Sequence, residues 1–266
     1  MAKKDNIITV IIPLHEVSDK GIEMLNKAVE SVDEKASVII SCPAGTKFES
    51  IGKFKRDTTF MAKSEGNSFQ ELVNAAIEAV DTEWFSILEY DDTYTDIWYK
   101  NAETYIEFKP ETSVFMFFED IFDVKAEKYL GMGNESPWAS SFSEEIGYLD
   151  NQALMNYFDY YMTGCLFKKA DWDEIGGLKP HVKVTFWYEW LLRATKNGKK
   201  VFVIPKIGYV HNMGREGSLT DKYQKSMSDK EIQWWFDLAK RDFFYKNEKD
   251  ASYYVYKETN DEDEDE

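Results

Sequence analysis

The sequence predicts an α/β fold, a mostly parallel central sheet flanked by helices, and three observations carry that prediction. Two continuous β-branched runs, Ile7-Ile8-Thr9-Val10-Ile11-Ile12 and Ser37-Val38-Ile39-Ile40-Ser41, read as strands buried on both faces. Segments with apolar residues at helical spacing alternate with the strands, which implies right-handed crossovers. A further run, Trp84-Phe85-Ser86-Ile87-Leu88, empties directly into Glu89-Tyr90-Asp91-Asp92. In parallel sheets ligands bind outside the carboxyl ends of the strands, so this acidic turn is the first place to look for chemistry.

Taken in order, Pro13 ends the first strand, and Ile22, Leu25, Ala28, Val29 and Val32 mark an amphipathic helix over 19–33. Pro43 and Gly45 stop the second strand, and Thr58-Thr59-Phe60-Met61 reads as a short third. Ser68 caps a helix running to about Val80, with Glu71 completing a capping box. Beyond the acidic turn come a helix near 96–108 and a strand pair, 113–119 with 121–130; a turn-rich loop follows at 131–137. Residues 143–161 are aromatic and acidic and read as partly helical. Phe167 to Ile175 and Phe186 to Asn197 look helical, with Gly176-Gly177 and Gly198 as stops. Val201-Phe202-Val203-Ile204 reads as a strand halted by Pro205, and a last helix spans 229–245. Without a linker or repeat, residues 1–246 are expected to form a single domain, and 247–266 an acidic tail without fixed structure.

Composition narrows the function classes. The 266 residues carry 32 Lys+Arg against 49 Asp+Glu, a formal charge of −17, and six of the acids sit in the run Asp261 to Glu266. A surface that binds nucleic acid needs clustered cations, so that class is disfavoured; Lys53, Lys55 and Arg56 would have to gather in space to rescue it. No apolar run approaches the roughly 18 residues of a membrane span, and the N-terminus lacks a secretion signal. Cys42 and Cys165 are too few for a disulfide framework. The expectation is a cytoplasmic protein. Any anionic ligand must be held by a bound cation, by backbone N–H groups or by a few local Lys/Arg residues.

Glu89, Asp91 and Asp92 suit the first of these. Carboxylates where a strand gives way to a loop can converge on Mg²⁺ or Mn²⁺, which take oxygen ligands and often only one or two carboxylates plus substrate phosphates. The bland alternative is a solvated acidic turn.

Together with their surroundings these residues resemble a family 2-type glycosyltransferase of the GT-A fold, over roughly Ile7 to Leu219. The resemblance rests on Ile7 to Pro13 with Ala28-Val29-Glu30-Ser31-Val32; on Asn74-Ala75-Ala76 through Asp92, which is similar to the family's DXD-like motif; on Thr163-Gly164-Cys165-Leu166-Phe167 with Glu174-Ile175-Gly176-Gly177-Leu178; and on Glu189-Trp190-Leu191-Leu192-Arg193-Ala194, Gly198 and His211 to Ser218. It implies a nucleotide-sugar donor, a hydroxyl acceptor and an Mn²⁺ or Mg²⁺ cofactor. Asp91 would be the main metal ligand, with Asp92 beside it and His211 as a further ligand. Glu89 would face the ribose or a metal-bound water. Pro13, Leu14 and His15 would line the base pocket, and Arg215 and Ser218 would lie on a loop over the diphosphate.

Two places depart from the family. Ser41-Cys42-Pro43-Ala44 carries no acid where the family has an aspartate pair, and Phe186-Trp187 stands where it has a Glu-Asp pair with the general base. Glu189 is the nearest acid and the candidate base; its alternative is an ion pair with Arg193 at i+4. His211 is equally a plain strand-end histidine. These departures keep a second expectation open: a catalytically inactive GT-A scaffold that binds a protein partner through the aromatic insert or the acidic tail. Among the aromatics, Trp138 and Trp187 fall nearest the expected acceptor cleft.

Overall fold

In the computed structural model, the described residues are 6–15, 17–47, 51, 54, 66–139, 145–156 and 160–258, together with the backbone of 59–62. The strands are β1 (Ile8–Pro13), β2 (Ser37–Cys42), β3 (Thr59–Ala62), β4 (Trp84–Ile87), β5 (Thr93–Tyr94), β6 (Val114–Asp123), β7 (Lys128–Gly133), β8 (Tyr148–Leu149), β9 (Leu166–Lys168) and β10 (Val201–Met213). The helices are α1 (Asp19–Ser31), α2 (Phe69–Ile77), α3 (Trp98–Phe108), α4 (Glu135–Ala139), α5 (Asn151–Leu154), α6 (Lys169–Ile175), α7 (Phe186–Lys196), α8 (Leu219–Ser226) and α9 (Asp229–Asp242).

One mixed sheet runs β3-β2-β1-β4-β9-β6-β10-β5, with β7 paired to β6 and β8 to β10. β1, β2, β3 and β4 are parallel neighbours, as are β6 and β10, while β9 runs antiparallel between β4 and β6. The β-branched runs explain the first half: every residue of β1 is buried, and its side chains alternate between two cores. Val10 and Ile12 pack on one face with Leu25 and Val29 of α1 and Trp98 of α3. Ile11 packs on the other with Val73 of α2, Trp172 of α6, Leu191 of α7 and Trp235 of α9.

Caps fix the helix starts. Ser18 accepts from the Gly21 N–H at 3.1 Å, and Ser68 with Glu71 forms the expected capping box, a device contributing about 1 kcal/mol. Ser31, at the end of α1, donates to the Ala28 carbonyl at 2.7 Å and accepts from the Tyr94 N–H at 3.0 Å, tying α1 to the turn beyond β4.

Several sequence expectations are corrected. Residues 114–123 form one long strand rather than two, and its partner is β7. Leu166–Lys168 is a strand, not the start of a helix, because its side chains fill the seam between β4 and β6. Pro205 does not end β10: the pairing with β6 shifts register between Ile204 and Tyr209, and an irregular stretch of this kind tolerates a residue without an N–H. The ordered chain also outlasts residue 246. A 3₁₀ turn at Ala251–Tyr254 buries Tyr254, whose hydroxyl donates to Asp242 at 3.2 Å. The acidic run Asp261–Glu266, Ser143, and Lys53, Lys55 and Arg56 lie outside the described residues. Both cysteines are free and buried, which pushes the Cys42 thiol up to about 11 and Cys165 well above its ordinary range. Among the described residues no helix is long and apolar enough to cross a membrane.

Candidate functional site

The carboxyl ends of β4 and β10 meet around the acidic turn. The Asp92 N–H bonds the Glu89 carbonyl at 3.1 Å, closing the turn, and β10 grips it from the side. Tyr209 donates its hydroxyl to Asp92 Oδ2 at 2.9 Å and accepts from the Glu89 N–H at 3.2 Å. The Asn212 N–H donates to Asp92 Oδ1 at 2.7 Å, and its side-chain amide donates to the Asp91 carbonyl at 2.6 Å. His211 Nδ1 lies 3.0 Å from Asp92 Oδ2. Arg215 donates through Nε to Asp91 Oδ2 at 2.6 Å and stacks 5.2 Å from the Tyr90 ring centroid. Gly164, with φ +66°, makes room for this arrangement: a Cβ there would come within 2.2 Å of the Tyr209 ring.

A carboxylate missed from the sequence completes the cluster. Glu119 on β6 pairs in register with Tyr209 and is fully buried; Oε1 accepts from the Thr163 hydroxyl at 2.8 Å, and Oε2 has no hydrogen-bond partner among the described residues. The signal was present: an acid inside Val114-Phe115-Met116-Phe117-Phe118 and Ile121 interrupts an otherwise buried run.

The electrostatics follow from burial and crowding. Burial, then Asp92 and Asp91, push the Glu89 carboxyl up to about 8. Burial alone does most of the same to Glu119, also about 8. Burial and Asp92 raise Asp91, against the pull of Arg215. For His211, burial works against the charged imidazolium, but the Asp92 hydrogen bond and charge, with Glu119 and Glu89, outweigh it and hold the ring up at about 10.

These observations test the fit to a divalent cation. No group of three or more His, Cys, Asp or Glu side chains converges as metal ligands among the described residues. Asp92 and His211, both expected as ligands, are partnered with each other in this structure: the Asp92 oxygens meet Tyr209, Asn212 and His211 Nδ1. Glu89 and Asp91 do fit. They are hard oxygen donors crowded by other carboxyl groups, with Arg215 on one Asp91 oxygen, and a cation held by one or two carboxylates needs no more from the protein.

The remaining expected residues divide. Pro13 and Leu14 are buried at the end of β1, where the Leu14 N–H bonds the Ser41 carbonyl at 2.7 Å; His15 follows, edge-on to Tyr90 at 5.2 Å. Ser218 spends its hydroxyl capping α8, accepting from the Asp221 N–H at 3.1 Å. Glu189 is not at the site. It is fully buried on α7, bidentate to Arg193 at 3.0 and 2.9 Å and bonded to Lys179 at 2.9 Å. Lys179 also reaches Asp242 at 2.6 Å, and Arg193 donates to the carbonyls of Ile175 and Gly177 at 2.9 and 2.8 Å. A carboxylate so enclosed cannot reach an acceptor hydroxyl, so the i,i+4 pairing describes Glu189 and the base role does not. Trp187 is half-buried and packs against the core, stacked 5.7 Å from Phe167. Trp138 is half-buried against Phe118.

Comparison with solved structures places this architecture. S. aureus TarS 1–349 in complex with UDP-GlcNAc superposes with a TM-score of 0.59 at 14% identity, over 89% of this chain and 65% of that one. The mannosyltransferase PcManGT from Pyrobaculum calidifontis, in complex with GDP-Man and Mn²⁺, gives 0.58 at 13% identity, over 89% and 64%. The chain has a glycosyltransferase fold. It spans just under two thirds of the length of these chains. No family model and no curated protein matches its sequence.

Proposed function

We propose that the protein transfers a sugar from a nucleotide-diphosphate donor to a hydroxyl acceptor, with Asp91 and Glu89 holding a divalent cation. The observation that carries this reading is the crowding of four carboxyl groups, Glu89, Asp91, Asp92 and Glu119, at the mouth of β4, in a fold shared with nucleotide-sugar enzymes. A bound Mn²⁺ or Mg²⁺ would neutralise charge developing on the departing diphosphate. The chain's own residues do the rest. Tyr209 and Asn212 fix the 89–92 turn so that the Asp91 and Glu89 carboxylates are set before a ligand arrives. Arg215, already beside Asp91, is placed to share a phosphate oxygen. Pro13, Leu14 and His15, at the adjacent end of β1, form the wall for the base. Calorimetric titration of UDP and GDP with and without Mn²⁺ tests it: binding is expected to need the metal and to fall at least about tenfold in Asp91→Ala. Metal-independent binding, or binding untouched by that substitution, sinks the proposal.

A second reading has its own observation. With Phe186-Trp187 in the base position and Glu189 locked in an ion pair, the same scaffold would bind a nucleotide sugar without transferring it, as a binding or assembly protein. Release of UDP from UDP-sugar, at a rate above the metal-only control, excludes this reading.

A further inference from the structure

The β6–β7 hairpin stands beside the site and exposes rings that the core does not use. Phe122 and Tyr129 are 38% and 48% exposed and meet edge-to-face, with centroids 5.4 Å apart at 63°. Two constraints hold the pair in place. The Tyr129 hydroxyl lies 3.4 Å from Asp120 Oδ1, and Asp123 Oδ1 accepts from the N–H groups of Lys125 and Ala126 at 2.9 and 2.8 Å, which fixes the turn. Phe118, Asp120 and Phe122 alternate onto one sheet face, so the half-buried Trp138 continues the same strip inward. The strip adjoins the candidate site. Phe122 is the register partner of Asn212 on β10, the residue that holds the Asp91–Asp92 turn, and partners in a parallel pair point to the same face.

We propose that this strip, from Trp138 out to Phe122 and Tyr129, is the platform on which an uncharged saccharide acceptor lies, its C–H faces against the rings. The inference rests on the transfer reading and names its acceptor class. Exposed rings beside a site mark a binding surface. Its chemistry selects the occupant: the ring faces offer apolar contact, while Asp120 between them can accept bonds from sugar hydroxyls. A polyanionic acceptor would meet a chain of net charge −17, and a second copy would bring the same charge with it.

Chitotetraose, cellotetraose and maltotetraose, with a heparin tetrasaccharide as the polyanionic control, are titrated into the full chain by calorimetry. At least one neutral tetrasaccharide is expected to bind, about fivefold more weakly to the Phe122→Ser/Tyr129→Ser variant and undiminished to Tyr129→Phe. UDP or GDP binding and the melting temperature should be the same in all three proteins. The proposal is overturned by no neutral binding, by equal binding to the Ser variant, by binding of heparin alone, or by dimerisation that the Ser variant abolishes. Ring-dependent saccharide binding by a chain that ignores nucleotides would remove the transfer reading and leave the platform; nucleotide binding without saccharide binding would do the reverse.

Discussion

Two clusters of charged side chains among the described residues are balanced differently. Under α7, Glu189 and Asp242 meet Lys179 and Arg193, and the remaining guanidinium N–H groups reach the carbonyls of Ile175 and Gly177. At the mouth of β4, Glu89, Asp91, Asp92 and Glu119 face His211 and Arg215 among the described residues, and three of the four acids are raised from their ordinary values. The first cluster pairs each acid with a cation, although Asp242 Oδ1 lacks a hydrogen bond among the described residues, and it ties α7, α9 and the 175–179 loop together. The second has more acids than cations and is therefore the one proposed to take a ligand. Position in the sequence does not separate them; the company each carboxylate keeps does.

The comparison is most easily broken at Arg193. Arg193→Met leaves Glu189 buried with less compensation, and is expected to lower the urea unfolding free energy by about 3–5 kcal/mol. Nucleotide affinity of the folded protein should stay the same. A stable variant that loses nucleotide binding would show that the balanced cluster serves the site after all.

Glu119 sharpens the other side. Its carboxyl ionises near the model-compound value of 4.5 when unfolded and at about 8 when buried. The folded state thus holds the extra proton between those values. The stabilisation from the neutral form is complete below about 4.5 and is lost as pH rises toward 8. Glu119→Gln keeps the neutral shape at every pH. Unfolding free energies from urea titration in EDTA should therefore diverge in favour of the variant between pH 5 and pH 8.5, by up to about 4 kcal/mol. A difference that stays flat across that range would mean that Glu119 does not change its charge there.

The smallest effect belongs to the surface. His181 Nδ1 lies 2.9 Å from Glu248, half exposed, and stacks on Tyr254. His181→Ala should lower the unfolding free energy from urea titration by less than about 1 kcal/mol at neutral pH. A larger loss would place the C-terminal segment within the balanced cluster's cooperative unit.

The N-terminal half was legible because its signals are local: β-branched runs, Pro13 and Pro43 as stops, and the Ser68–Glu71 cap all act within a few residues. The C-terminal half depends on partners distant in sequence. Leu166–Lys168 is a strand only because β4 and β6 flank it, and β10 passes Pro205 only because its pairing with β6 is irregular there. The site divides the same way. Glu89, Asp91 and Asp92 were visible at the end of a buried strand, His211 and Arg215 through the family resemblance, and they do meet. Glu189 was misassigned because one helical step separates a cleft-facing carboxylate from an enclosed one, and Lys179, its second cation, lies on a loop that sequence spacing does not connect to it. Glu119 was overlooked because it looked like one more acid in an acidic chain.

The seam at β9 also bears on how the chain is manufactured. The edge of β4 that faces the second half of the sheet is covered by Leu166–Lys168, which leaves the ribosome roughly eighty residues after Ile87. At translation speeds of about 5–20 residues per second, that edge waits several seconds with Trp84 and Phe85 beside it. During that interval the nascent protein offers neighbours an adhesive border, and a chaperone that shields it until the seam closes would raise the yield of native molecules.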